Sequence, residues 1–241
     1  MRDYNIERKA RVEFIKNTIE NAGAKGVVFG NSGGKDSALA GILCREAAEN
    51  VLGVMMPCDT RRNYGDDINH AELLAKKYNI ENITVDLTDA KKSVLDSIGE
   101  RAGVTGSAKV NIAPRLRMTV LYTIAQSLGY LVMGTGNKSE YHMGYFTKWG
   151  DGAYDFNPIF DLTVTETYEF LKFLNAPEEI INKPPSGGLF DGQTDEAEMG
   201  ITYKVIDGYL LNGAADGEAK AKIEKIHNAT EHKRNPPVCF S

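Results

Sequence analysis

The stretch Gly30–Ser37, which reads Gly-Asn-Ser-Gly-Gly-Lys-Asp-Ser, constrains the fold of this chain more than any other. It follows the apolar run 27–29 and precedes residues 38–44, whose apolar character is typical of a buried helix. A strand, a glycine-rich turn and a helix N-terminus form an anion site, because several backbone N–H groups converge there and the helix dipole adds positive potential. The candidate phosphate-binding residues are Gly30, Asn31, Ser32, Gly33, Gly34, Lys35, Asp36 and Ser37.

Asp36 is unusual in an anion-binding loop, because a carboxylate repels phosphate oxygens unless a cation lies between them. Mg²⁺ is the expected cation, since it binds one or two carboxylates together with phosphates. The loop is not a Walker A sequence, which requires Ser or Thr directly after Gly-Lys, and it is not the dinucleotide pattern G-x-G-x-x-G. An ordinary glycine-rich turn between a strand and a helix is the alternative.

Short apolar runs alternate with amphipathic stretches through the first half of the chain. The predicted strands cover residues 27–29, 51–56, 83–87 and 130–133, and the predicted helices cover residues 4–22, 36–49, 66–78, 88–99 and 109–128. This alternation predicts βαβ units, and therefore an α/β fold with an open parallel sheet and helices on both faces. Ligands bind at the C-terminal strand ends of such sheets, where residues 30–37 and the segment from Gly134 both lie.

The second half of the chain is less regular. Helices are predicted at residues 164–174, 177–182, 202–212 and 217–229. Between them, the segment Lys183–Gln193 has no apolar periodicity and is predicted to be a mobile loop or lid. No linker divides the chain, so residues 1–241 are expected to form a single domain.

Composition and charge exclude several classes of protein. The net charge of −5 and the lack of a basic run argue against nucleic-acid binding. The charged N-terminus is unlike a signal peptide, and no apolar run approaches the ~20 residues of a membrane span. The three cysteines are far apart and form no C-x-x-C pair, so neither a disulfide framework nor a zinc site is indicated. A cytoplasmic protein without membrane contact is expected.

The segment Ser32–Ser37 resembles the S-G-G-x-D-S loop of the N-type ATP pyrophosphatases, which have an adenine-nucleotide-hydrolase-like fold. Further segments resemble one family within that superfamily, the ammonia-dependent NAD synthetases. They are 111–118, 134–140, 144–152, 183–196 and 232–234, and they follow the order of the family across nearly the whole chain. Glutamine-dependent relatives carry a large amidotransferase domain for which this chain has no room, so free ammonia is the expected nitrogen source.

The resemblance implies a reaction in two steps. ATP adenylates the nicotinate carboxylate of deamido-NAD⁺ with release of pyrophosphate, and ammonia then displaces AMP to give NAD⁺. It also implies that the partners are deamido-NAD⁺, ATP and ammonia, and that the protein is a homodimer, because the family builds the deamido-NAD⁺ site across a two-fold interface.

The resemblance also implies a set of site residues. Residues 30–37, Thr135 and Ser186 would bind ATP, and Asp36 and Glu140 would bind Mg²⁺. The expected contacts to deamido-NAD⁺ are Arg115, Phe146, Lys148, Asp155, His232 and Lys233, with Phe146 stacked on the nicotinate ring. Asp36, Glu140 and Asp151 are the expected catalytic residues, and Asp151 would steer or deprotonate ammonium.

Each of these positions also has a structural alternative. Glu140 also suits a solvated carboxylate at a helix start, and Arg115 also suits a solvated helix face. Lys148 and Asp151 suit simple turn positions, and residues 232–234 suit a frayed basic tail.

The chain departs from the family at Val164, where a lysine that reaches ATP is usual. Valine cannot donate to a phosphate, so either another cation compensates or phosphate binding is weaker. Lys35 stands where the family varies, and it either contacts phosphate or points to solvent.

Two other functions therefore stay open. One is a different N-type ATP pyrophosphatase, such as a GMP-synthetase-like or tRNA-modifying enzyme, which would lack segments 144–152 and 183–196. The other is a nucleotide-binding module without catalysis, which the valine at position 164 favours.

Overall fold

A computed structural model describes residues 2–60, 63–190 and 192–240 of the chain. Residue 191, inside the segment predicted to be a mobile loop, lies outside the described residues. The described part contains a parallel sheet of four strands in the order β3-β2-β1-β4. The strands are β1 Gly26–Gly30, β2 Val51–Met55, β3 Glu81–Thr84 and β4 Tyr130–Met133. The predicted open parallel sheet is therefore confirmed.

Helices connect the strands and make up most of the second half. They are α1 Tyr4–Asn21, α2 Lys35–Ala47, α3 Ile68–Tyr78, α4 Thr88–Ile98, α5 Gly106–Val110, α6 Ile112–Leu128, α7 Lys138–Met143, α8 Val164–Phe173, α9 Glu178–Ile181, α10 Asp195–Met199, α11 Tyr203–Asn212 and α12 Gly217–Ala229. A π-helical turn, Asn63–Asp67, leads into α3, and 3₁₀ turns lie at Gly99–Arg101 and Glu231–Lys233. Over the described ranges, every helix is too short or too polar to cross a bilayer.

Helices cover both faces of the sheet, as predicted. Alternate side chains of a strand point to opposite faces, so Phe29 packs with residues of α1, α2 and α8, whereas Val28 packs with α6. Strand β2 is buried along its whole length, which explains the continuous apolar run at residues 51–55. A third apolar cluster, containing Met143, Val164 and Tyr203, joins α7, α8 and α11 beside the sheet.

Strand register brings two loops side by side. Strands β1 and β4 are neighbours, and Phe29 lies opposite Met133. The loop after Gly30 and the segment from Gly134 therefore leave the sheet together at its C-terminal edge, as the sequence predicts.

The position of the third strand was predicted incorrectly. It covers Glu81–Thr84 rather than residues 83–87, because it is an edge strand whose pairing begins where Glu81 lies opposite Leu52. Asn82 suggests a turn from its polarity, but it is held in the strand by its side-chain amide, which donates to the Ala71 carbonyl at 3.3 Å. The chain continues beside β2 after the strand, since the Val85 amide donates to the Met55 carbonyl.

The long helix predicted at residues 109–128 is two helices. It breaks at Asn111, which ends α5 and precedes α6. Pro114 lies in the first turn of α6, where its missing N–H breaks no helical hydrogen bond. Helices α7 and α10 were not predicted, because they are too short to show a helical period.

Candidate nucleotide-binding active site

A cleft of about 660 Å³ opens at the C-terminal ends of β1, β2 and β4. Thirteen of the sequence-predicted site residues line it: Gly30, Asn31, Ser32, Gly34, Lys35, Asp36, Ser37, Thr135, Glu140, Phe146, Asp151, Ser186 and Lys233. Five others are not part of its lining, namely Gly33, Arg115, Lys148, Asp155 and His232. The cleft thus brings together nearly all the residues predicted to bind ATP and metal. It contains only part of the set predicted to bind deamido-NAD⁺.

The loop between β1 and α2 has the geometry of an anion site. Gly33 has a φ of +66°, and a Cβ atom there would lie 2.2 Å from the Asp67 carbonyl oxygen, so no other residue fits. Ser32 and Ser37 close the loop with a hydroxyl–hydroxyl contact of 3.0 Å. Gly34 caps α2 without a side-chain hydrogen bond, so the first N–H groups of the helix face the cleft.

Asn137 brings the two predicted metal ligands together. Its side-chain amide donates to Asp36 Oδ1 at 3.1 Å, and its backbone amide donates to Glu140 Oε2 at 3.2 Å. Its side-chain oxygen accepts from the Glu140 amide at 3.0 Å, which completes a capping box at the start of α7. One oxygen of Glu140 therefore stabilises the helix, and the other, Oε1, lies 3.5 Å from Lys35 Nζ.

Lys35 lies between these carboxylates. Its Nζ is 2.6 Å from Asp36 Oδ2 and 3.5 Å from Glu140 Oε1, and the residue is only 6% exposed. The alternative in which Lys35 points to solvent is therefore wrong. Burial lowers the pKa of Lys35, but Asp36 and Glu140 raise it further, so its pKa lies above the usual range and it stays an ammonium. Burial, and then the charge of Asp36, raises the pKa of Glu140, which Lys35 only partly offsets.

The carboxylate pair fits Mg²⁺ only with help from a ligand. The described residues contain no group of three or more histidine, cysteine, aspartate or glutamate side chains able to hold a metal ion. Asp36 and Glu140 nevertheless offer hard oxygen donors beside the phosphate-binding loop. Two carboxylates plus phosphate oxygens and water are the set that Mg²⁺ takes in nucleotide enzymes.

The far wall of the cleft is built by the loop after α7. The ring of Phe146 stacks parallel to Tyr141, with centroids 5.8 Å apart. Lys233 holds this loop by donating to the carbonyl oxygens of Gly144 and Phe146 at 2.7 and 2.8 Å. Asp151 ends the wall, and its carboxylate accepts from the Thr147 amide at 2.9 Å.

Asp151 has a perturbed acidity. Neighbouring protein atoms desolvate the Asp151 carboxylate and so raise its pKa. The Thr147 amide and the charges of Arg117 and Lys233 act in the opposite direction. Its side chain faces the open cleft, so the carboxylate is accessible to a small molecule there.

The predicted substrate residues outside the cleft fall into two groups. Arg115, Lys148 and His232 meet on the neighbouring surface, where Arg115 Nε donates to the Lys148 carbonyl at 3.3 Å and Lys148 Nζ donates to the His232 carbonyl. Asp155 lies apart from them. Its carboxylate accepts from the Tyr122 hydroxyl at 3.2 Å and the β4 amide of Val132 at 2.7 Å, so it is directed at α6 and the sheet.

The described part of the segment Lys183–Gln193, residues 183–190 and 192–193, begins against the phosphate-binding loop. Lys183 Nζ donates to the Gly33 carbonyl at 3.0 Å and to Asp67 Oδ1 at 2.7 Å. Farther along, the Gly188 carbonyl accepts from the side-chain amide of Asn63 at 3.2 Å. In this conformation the segment covers one side of the cleft.

Four residues of the site were not predicted from the sequence. They are Arg117, Asn137, Lys183 and Asp195. Arg117 lines the cleft and donates to the Met56 carbonyl at 3.1 Å and to Asn63 Oδ1 at 3.2 Å. Asp195 accepts from the Gly187 amide at 3.0 Å and the Tyr203 hydroxyl at 3.1 Å.

A sequence signal existed for only one of the four. Asn137 followed three residues later by Glu140 matches a capping-box spacing. Nothing in the local sequence separates Arg117 from Arg115 or reveals where Lys183 and Asp195 point.

The parallel sheet, the S-G-G-x-D-S loop after β1 and the carboxylates at the strand ends define an N-type ATP pyrophosphatase fold. The sequence matches the family model for NAD synthase over residues 7–237. It is 42% identical to the NH₃-dependent NAD⁺ synthetase of Carboxydothermus hydrogenoformans, with 97% of each chain covered. The chain belongs to the NAD synthase family.

Solved structures agree with this assignment. The chain superposes on an NMN synthetase from Francisella tularensis with a TM-score of 0.93 and 35% identity, covering 100% of this chain and 99% of that one. It superposes on an NH₃-dependent NAD synthetase from Campylobacter jejuni with a TM-score of 0.80 and 30% identity, covering both chains completely.

Proposed function

We propose that this protein is an ammonia-dependent NAD⁺ synthetase that consumes ATP, deamido-NAD⁺ and ammonia. The observation that carries the proposal is the meeting, in one cleft, of the phosphate-binding loop, the Asp36–Glu140 pair and the aromatic wall at Phe146. In this proposal a nucleoside triphosphate binds at the phosphate end of the cleft and a flat aromatic acid binds at the other end. Family membership over nearly the whole chain supports the same reaction.

The phosphate end prepares the leaving group. Backbone N–H groups of residues 30–37 hold the β- and γ-phosphates, with Thr135 and Ser186 as further contacts. Asp36 and Glu140 would hold Mg²⁺, which supplies charge neutralisation to the phosphates. A carboxylate oxygen of the substrate bonds to the α-phosphorus, and the bond from that phosphorus to the bridging oxygen breaks and releases pyrophosphate. The protein contributes alignment and fixed dipoles to this step.

The aromatic wall positions the acyl group. Phe146 stacks on the nicotinate ring, and Lys233 fixes Phe146 by binding its carbonyl oxygen. Asp151, which lies beside this ring and has a raised pKa, takes a proton from ammonium. The resulting ammonia attacks the acyl carbon, the nitrogen then loses a proton to solvent, AMP leaves with the bonding electron pair, and the amide forms.

The segment Lys183–Gln193 keeps water from the adenylate, which would otherwise hydrolyse. It opens to release AMP and the product, and Gly188 and Gly192, both with positive φ, give it the backbone freedom to move. We expect amide hydrogen exchange in this segment to slow when ATP and the acid substrate are both bound. Equal exchange rates with and without ligands would show that the segment is a static wall of the cleft and not a lid.

Arg115, Lys148 and His232 are assigned to the distal part of deamido-NAD⁺, since they lie on the surface next to the aromatic wall. Asp155 is assigned a supporting role there through its contact with Tyr122. We further propose a homodimer formed through α6, whose apolar side chains include the partly exposed Leu121 and Leu128, with Mg²⁺ as the metal. Single-domain organisation and a cytoplasmic location complete the proposal.

A second candidate function has support of its own. The chain resembles the Francisella NMN synthetase more closely in structure than the Campylobacter NAD synthetase. In this alternative the acid substrate is a mononucleotide, and the product is NMN. A mononucleotide would fill the cleft at Phe146 and leave the surface group Arg115–Lys148–His232 without a ligand.

Both candidates are tested with the purified protein, ATP, Mg²⁺, ammonium and either deamido-NAD⁺ or nicotinate mononucleotide. We expect pyrophosphate release and amide formation to require an acid substrate, with a higher kcat/KM for deamido-NAD⁺. A higher kcat/KM for the mononucleotide would favour the second candidate. ATP binding without turnover of either acid would indicate that the protein is a nucleotide-binding module without catalysis.

The surface residues provide a sharper test of the same choice. The Lys148→Met variant should raise KM for deamido-NAD⁺ and leave KM for the mononucleotide unchanged. The matched control is Lys109→Met, which removes an exposed lysine of α5 outside the cleft lining.

A further inference from the structure

The cation between Asp36 and Glu140 is the side-chain ammonium of Lys35. Lys35 is 6% exposed, and its ammonium lies at ion-pair distance from both carboxylates. On its other side the ammonium is 5.8 Å from the centroid of the Tyr203 ring, within the range of a cation–π contact. A buried ammonium with partners on both sides is a built position and not a solvated side chain.

The same region lacks a cation at the start of α8. Val164 is buried in the apolar cluster that contains Tyr203, and its amide donates to Ser139 Oγ, next to Glu140, at 3.3 Å. Val164 therefore supplies no charge to the cleft, and the positive charge enters from α2 through Lys35. The other lysine near the phosphate-binding loop, Lys183, is held by Asp67.

We propose that Lys35 is an internal counter-cation that occupies the carboxylate pair in the free protein and transfers to the phosphates when ATP binds with its metal ion. The proposal rests on the proposed function only in taking ATP as the ligand of the phosphate-binding loop. It makes Lys35 a positioning residue that links nucleotide binding to metal binding.

Electrostatics gives the direction of this link. An ammonium and a divalent cation both in contact with Asp36 repel each other strongly, since the carboxylate pair is shielded from water. The free protein therefore binds a divalent cation weakly. The phosphates of ATP provide a second partner for the ammonium, and a lysine has a flexible stem and three donors with which to reach them.

The transfer also explains how the site works with valine at position 164. The charge that a lysine at that position would supply comes instead from α2, one residue from the metal ligand Asp36. Lys35 and Asp36 are adjacent in sequence and line the same cleft, so phosphates bound by the loop compete with Asp36 for the ammonium.

The experiment measures Mn²⁺ binding to the full chain without nucleotide, by the loss of the free Mn²⁺ signal in electron paramagnetic resonance. We expect Lys35→Met to bind Mn²⁺ at least about tenfold more tightly than the natural protein, because the competing ammonium is gone. Lys35→Arg, which keeps the charge, should bind Mn²⁺ as weakly as the natural protein. The matched control is Lys138→Met, which removes another partly buried lysine two residues from Glu140.

Two outcomes would overturn the proposal. One is equal Mn²⁺ affinity in Lys35→Met and the natural protein, and the other is an equal gain in Lys138→Met, which would reflect a general change of charge. Circular dichroism establishes that each variant is folded, and Lys35→Gln replaces Lys35→Met if the latter does not fold.

A measurement on the natural protein gives an independent test. With ¹⁵N-labelled lysine, the Nζ resonance of Lys35, assigned by its loss in Lys35→Arg, should shift when Mg²⁺ and a non-hydrolysable ATP analogue are added together. An unchanged resonance in a protein that binds the analogue would contradict the transfer. Neither measurement uses the amidation reaction, so a negative result here and a missing synthetase activity are separate findings.

Discussion

The two ends of the cleft are built in different ways. The phosphate end is formed by β1, β4 and the starts of α2 and α7, and its polar side chains bind one another, as Asn137, Asp36 and Lys35 do. The aromatic end is formed by irregular loops, which are held by basic side chains that bind backbone carbonyls, as Lys233 does at Gly144 and Phe146. The first end is fixed by regular secondary structure and the second by long-range clamps. Substitutions at the first should therefore abolish chemistry, and those at the second should alter substrate affinity.

The largest effect is expected for Asp36→Asn. Loss of the charge removes the proposed metal ligand at the phosphate end, so pyrophosphate release should fall at least about 10³-fold, because several kcal/mol of charge stabilisation would depend on that ligand. The melting temperature should change little, and Asp66→Asn on the exposed turn before α3 is the control. Wild-type rates in Asp36→Asn would remove this residue from the mechanism.

Gly33→Ala, which also changes the phosphate end of the cleft, should lower the stability of the protein. A methyl group there meets the Asp67 carbonyl oxygen and forces an alanine into the left-handed region, so the free energy of unfolding should fall by about 2–4 kcal/mol. Urea unfolding measures the loss. Gly106→Ala, at a position with open space around it, should leave the stability within about 0.5 kcal/mol of the natural protein.

Lys233→Met tests the aromatic end. The variant loses two charge-assisted hydrogen bonds to the carbonyls of residues 144 and 146, so the acid substrate should bind about tenfold or more weakly. The KM for ATP should be unchanged, and the exposed Lys225→Met is the control. An equal rise of both KM values would show that the two ends are not independent.

The smallest effect concerns acid stability. Burial, and then the positive charges of His227 and Arg234, lowers the pKa of His142 to about 4. The unfolded chain takes up the proton at a higher pH, so stability is full above about pH 6.5 and falls as the pH drops towards 4. After allowance for partial exposure the loss is about 1–2 kcal/mol. His142→Gln should flatten this part of the pH profile of unfolding, and an unchanged profile would assign the loss to other groups.

The contrast between the two ends also describes what the sequence could predict. Apolar runs and a glycine-rich turn were sufficient for β1, β2 and the phosphate-binding loop, since buried parallel strands have few alternatives. The edge strand β3 was misplaced because its polar residues Glu81 and Asn82 pair on one side only. At the aromatic end, the expected roles of Phe146 and Lys233 came from the family resemblance alone.

The direction of side chains was the other feature that the sequence could not predict. The sequence placed Lys35 beside Asp36 but left open whether it faced solvent, because that depends on Tyr203 and Glu140, which come from distant parts of the chain. In the same way, the contact of Lys183 with Gly33 spans 150 positions and has no local signal.

The clamp made by Lys233 has a consequence for the order of folding. Its partner carbonyl in Phe146 is 87 positions earlier in the sequence, whereas β1 and β2, which are joined by the phosphate-binding loop and α2, pair across a single helix, with Val27 opposite Val51. Closing a long loop costs chain entropy before the contact compensates for it, so such contacts form late. The phosphate-binding loop can therefore take shape while the aromatic wall and the contact of Asn137 with Asp36, which spans 101 positions, are still forming. A refolding chain should recover anion binding at this loop before it recovers recognition of the acid.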